Sequence, residues 1–183
     1  MYTVFWIANL PVRVVESDTF STILRSKRRE LEVILMSAAT SPAPVPLLQE
    51  GLAYWEELVN ECKRQMNAIN AAAMDHGLVA EHLIEWIPGR PLDMIRRQTP
   101  STEIKLNLSF ERWGPVISGA IKGHQQEDLR FYPEELEVPL GRDEECTVAI
   151  FDEGRSLSPR EFAGYIAQRF RRCFPDLSLP CPE

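Results

Sequence analysis

Over residues 102–110 the chain alternates strictly. Ile104, Leu106, Leu108 and Phe110 are apolar, and Glu103, Lys105, Asn107 and Ser109 between them are polar. Successive side chains of a strand point to opposite faces, so this run demands a sheet with one buried face and one wet face. The apolar face needs a cover, and two other stretches supply it. Leu48, Leu52, Trp55, Leu58, Val59, Cys62, Met66, Ile69 and Ala73 step by three or four residues, which places them on one side of a helix. Gly77 accepts the left-handed conformation that ends helices. Further on, Ser158-Pro159-Arg160-Glu161 reads as a capping box with proline at the first helical position. The stripe Phe162, Tyr165, Ile166, Phe170, Cys173 and Phe174 follows it.

Strand-like stretches fill the space between. Residues 79–87 hold Leu83, Ile84, Trp86 and Ile87, and Pro88-Gly89-Arg90-Pro91 breaks them. A single helical turn is expected over 92–98. Trp113-Gly114-Pro115 turns the chain into a partner strand over 116–122, where Gly119 marks a bend, a bulge or the close approach of another backbone. Two short strands are expected around Pro133, over 129–132 and 136–140, and another over 146–151. Short connections at regular spacing favour an antiparallel meander over parallel βαβ units. The expected fold is therefore a two-layer α+β domain over 47–174. Its antiparallel meander of four to six strands is covered by a long N-terminal helix and a C-terminal helix.

The ends read differently. Residues 36–46 hold three prolines in five positions (Pro42, Pro44, Pro46) among small polar residues, which favours extended backbone and a linker. Met36 followed by small residues resembles a translation start, so residues 1–35 are expected to be an upstream or loosely attached extension. Within them Phe20, Ile23, Leu24, Leu31, Ile34 and Leu35 keep helical spacing after a possible Asp18 cap, and Arg25-Ser26-Lys27-Arg28-Arg29 reads as the solvated face of that helix. Pro175 opens a loose tail over 175–183.

Composition narrows the functional classes. The chain has 183 residues, 44% apolar and 26% charged, and a formal net charge of -7. That charge argues against a dedicated nucleic-acid binder, whose footprint is basic. No apolar run approaches the roughly 18 residues of a membrane span. The N-terminus has no basic region or cleavage site of a signal peptide, so a cytoplasmic, reducing location is expected. Cys62, Cys146, Cys173 and Cys181 form no CxxC pair, and His76, His82 and His124 are scattered, so neither a metal nor another cofactor is expected. Cys62 and Cys146 are expected to be buried thiols.

No nucleophile elbow, phosphate-binding loop or zinc-protease motif is present, which leaves recognition as the default function. Charge is uneven: residues 125–153 carry ten acids against two arginines, and residues 155–174 five arginines against one acid. The candidate contact residues are Arg112 and Trp113 on a turn, because exposed Trp and Arg are over-represented at binding hot spots. Arg96 and Arg97 join them from the connection over 88–101, since long connections are often functional. Arg160, Arg169, Arg171 and Arg172 are candidates for anion contact if they share a free face. The first functional expectation is a non-catalytic interaction module that binds a protein partner, or its own copy, through a sheet edge. The alternative is a small-ligand site or unrecognised hydrolase between curved sheet and long helix, with Gly119 and Ala120 leaving room and acids of the 143–153 region nearby.

Overall fold

The computed structural model describes residues 25–26, 28–29, 45–90, 92–98, 100–111, 114–124, 131–143, 146–151 and 154–174, without the side chains of 45–46, 124 and 131–133. Helix α1 (Val45–Asp75) is followed by a single 3-10 turn (Ala80–His82) and seven strands: β1 (Glu85–Trp86), β2 (Leu92–Arg96), β3 (Thr102–Glu111), β4 (Gly114–His124), β5 (Phe131–Asp143), β6 (Cys146–Ile150) and β7 (Ser156–Leu157). Helix α2 (Pro159–Arg171) closes the domain. The strands pair antiparallel in chain order from β1 to β7. This is the expected α+β meander with its two helices, with one strand more than the upper bound.

The register explains the alternation. Ile104, Leu106 and Leu108 stand opposite Ile121, Gly119 and Ile117, which in turn stand opposite Glu134, Leu136 and Val138. Leu92 and Met94 extend the same face across β2. The apolar residues among these and α1's Leu48, Trp55, Leu58, Cys62, Met66 and Ile69 form one core with Phe162, Ile166 and Phe170 of α2. Burying each large apolar side chain contributes about 1.5–3 kcal/mol, so the fold rests on this shared interior.

Side-chain anchors orient the helices. The Tyr54 hydroxyl, early in α1, donates to the Leu157 carbonyl just before α2, at 2.8 Å. Late in α1, the Asn70 amide group both donates to and accepts from the Ile84 backbone, each at 2.9 Å. The 3-10 turn before Ile84 gives its His82 carbonyl to Arg96, whose guanidinium stacks 4.5 Å over Phe174, just beyond α2. The two helices therefore run in the same direction side by side on the concave face of the curled sheet, with the shorter α2 starting beside Tyr54, well inside α1. Gly51 lets α1 approach the start of β4, since a Cβ there would overlap the Pro115 ring.

Both helix ends follow their sequence signals. Beyond α1, Gly77 has φ 84°. The Leu78 N–H reaches the Ala73 carbonyl at 3.0 Å and the Gly77 N–H reaches Met74 at 2.8 Å, which is a Schellman closure. At α2, the Ser158 N–H donates to Glu161 at 2.8 Å while the Ser158 hydroxyl oxygen accepts from the Glu161 N–H.

Several expectations change. Residues 92–96 form β2 instead of a helical turn. Two short strands around Pro133 are one continuous β5, and most of 79–87 is the 3-10 turn followed by a two-residue strand. Helix α1 begins at Val45, inside the expected linker. Cys146 is exposed at the first position of β6; Cys62 is buried as expected. Apart from Arg25, Ser26, Arg28 and Arg29, which are helical and exposed, the expectations for an extension, a linker and a tail otherwise lie outside the described residues. Arg28 is described, and it donates to Glu56 of α1 at 3.1 Å. Among the described residues no helix is long and apolar enough to cross a membrane.

Candidate functional site: an open strand edge

Strand β5 serves two neighbours in succession. It pairs with β4 from Phe131 to Pro139 and with β6 only from Leu140 to Asp143. Over 131–139 its second edge has no strand beside it among the described residues. β5 and β6 thus diverge like a fork from the Leu140–Ala149 pair.

Prolines set which backbone groups face the opening. Proline has no N–H to give, so within a sheet its nitrogen points away from the ladder. Pro133 and Pro139 stand opposite Lys122 and Val116 of β4, and their even separation gives them the same parity. Pro115, opposite Phe110 of β3, imposes the same alternation from the other side of β4. Odd-numbered residues of β5 therefore aim N–H and C=O at the opening, while even-numbered ones bond β4. Between the prolines the edge offers the N–H groups of Glu135 and Glu137 within a longer row of carbonyls. The exposed side chains of Glu135 and Glu137 lie on the convex face. They stand opposite Ala120 and Ser118, which offer no counter-charge.

The concave side of the fork has a floor. The Tyr165 hydroxyl donates to Glu134 Oε1 at 2.6 Å, and Arg169 donates to Glu134 Oε2 at 2.7 Å and to the Tyr165 oxygen at 2.6 Å. Burial, then the Glu134 carboxylate that accepts its proton, push the Tyr165 phenol above its ordinary value. Phe151 packs against Tyr165 and Phe162, with ring centroids 5.8 and 5.3 Å away. Half-buried Leu136, Phe151 and Tyr165 thus present apolar surface beside the edge.

The other singled-out residues are dispersed. Arg112 and Trp113 lie outside the described residues. Arg96 is on β2 and only 5% exposed. It donates to the carbonyls of His82, Gln98 and Pro100, so it ties the 97–101 connection down instead of presenting itself to a partner. Beneath it, Thr102 and the Cys173 thiol lie 3.0 Å apart, and burial holds that thiol above its ordinary value. Arg97 is exposed, 3.5 Å from Glu85. The four arginines of α2 and its end do not share one face. Arg160 and Arg171 fall on one side, three turns apart, and Arg169 roughly half a turn round from them, where Glu134 holds it.

The ligand-pocket reading loses one support. A Cβ at Gly119, whose φ is 152°, would overlap the Lys105 carbonyl oxygen. The missing side chain makes way for backbone and leaves no space for a ligand. Of the nearby acids, Asp143 accepts from the Ser156 hydroxyl at 2.9 Å, while Glu144, Glu145, Asp152 and Glu153 lie outside the described residues. Among the described residues no three His, Cys, Asp or Glu side chains group to hold a metal.

Sequence reasoning missed Glu134, Glu135 and Glu137 as site residues. The available signal was the spacing Pro133-x-Glu135-x-Glu137-x-Pro139, which keeps one parity throughout. Comparisons with protein-family models, with curated proteins and with solved structures give no match.

Proposed function

We propose that this protein is a non-catalytic interaction module that takes up an extended segment of a protein partner along the open edge of β5. The supporting observation is the second edge of β5 over 131–139, which has no strand beside it among the described residues and ends in a fork floored by Leu136, Phe151 and Tyr165. Strand addition to such an edge gains main-chain hydrogen bonds for affinity, while alternate side chains confer specificity.

The test uses the parity of the strand. Proline at 135 and 137 removes both outward N–H donors and leaves the bonds to β4 in place. Partner capture by the full chain is compared with capture by the E135P/E137P variant, with circular dichroism as the folding control. The reading expects a specific partner retained by the parent chain and lost from the folded variant. Equal retention by both would overturn it.

A further inference from the structure

We infer that the segment taken up by the β5 edge is a strand that alternates basic with apolar residues. This deepens the interaction reading and rests on it. The edge itself is rich in acceptors, because Pro133 and Pro139 contribute carbonyls and no N–H. Glu135 and Glu137 add two carboxylates on the convex side, opposite Ala120 and Ser118. Every second side chain of an added strand lies on that same convex side. At those positions Lys or Arg meets the two glutamates across the new ladder, where opposite charges stabilise and like charges oppose. The intervening side chains fall on the concave side, over Leu136, Phe151 and Tyr165, where apolar residues fit. Glu134 adds no free charge there, since Arg169 and Tyr165 occupy both of its oxygens.

The same register disfavours a second copy of this chain as occupant. Antiparallel pairing of two β5 edges about Leu136 places Glu135 against Glu137 and Pro133 against Pro139. Two pairs of like charges then face each other, and no proline supplies a donor. Proline and charge on an exposed edge are the devices by which sheets avoid pairing with themselves.

The experiment titrates the full chain, labelled with nitrogen-15, with two eight-residue peptides, one alternating lysine and valine and one alternating glutamate and valine. The inference expects the lysine peptide to shift the Glu135 and Glu137 amides. It should bind at least tenfold more tightly than the glutamate peptide and weaken as salt rises. The E135K/E137K variant should reverse the preference. Equal binding of both peptides at those amides would overturn the charge inference and leave edge docking standing. If neither peptide moves those amides, or the shifts fall outside β5, edge docking falls with it.

Discussion

Arg96 occupies a core-facing position that the pattern of β2 reserves for an apolar residue. Its guanidinium is buried and satisfied by three main-chain carbonyls and the face of Phe174. Truncation leaves those carbonyls without a donor, so Arg96→Met should cost about 3 kcal/mol or more in urea unfolding. Arg96→Lys should recover little, because one ammonium cannot reproduce the fork that spans His82, Gln98 and Pro100. A variant as stable as the parent would contradict this role. Gly119 is the second decisive residue. Its positive φ and the Lys105 carbonyl leave no place for a Cβ, so Gly119→Ala should lose about 3 kcal/mol, measured in the same way. Of the sequence's readings of Gly119 (a bend, a bulge, a close approach, or room for a ligand), the close approach of another backbone is the one found. It did not mark Arg96 as buried, since a charged residue in a short strand carries no sign that carbonyls will surround it.

The two long helices and β3 were legible because each repeats its period several times. β1 and β7 have two residues each, too few for any period. β2 was hidden because Asp93 and Arg96 are both buried and so mask the alternation of Leu92 with Met94. β5 was read as two pieces because proline usually ends a strand; here both prolines sit where their nitrogens face outward. Among the helix ends, the cap of α2 carries a testable pH dependence. The bonds from the Ser158 backbone and hydroxyl hold Glu161 below the ordinary carboxylate range. On α1, the Arg142 and Thr147 donors do the same for Glu50. A carboxylate depressed in the folded state contributes stability above its unfolded pKa, and that contribution disappears as pH falls through the folded value. Ser158→Ala should therefore cost about 1 kcal/mol at pH 7. The difference from the parent should shrink as unfolding is followed from pH 5 to pH 2. A difference independent of pH would assign the cost to something other than the charged cap.

At the scale of the molecule, one sheet curls around two helices and opens where β5 leaves β6. Among the described residues, the acidic stretch and the basic helix noticed in the sequence meet there through Glu134 and Arg169. Glu135 and Glu137 stay exposed on the convex side of the fork. A sheet edge was expected to dock a partner, but which edge is open could not be read in advance, because an open edge is a property of pairing and not of any single segment. The account consequently depends on whether the outward amides of β5 are truly unpaired. Hydrogen exchange resolved at single residues in the full chain measures this directly. The prediction is alternation along one strand: Glu135 and Glu137 exchange fast, while Leu136 and Val138, bonded to β4, exchange slowly, by a factor of a hundred or more in the manner of core strands. Glu135 and Glu137 amides as protected as their neighbours would mean that the edge is already filled, and would contradict the account.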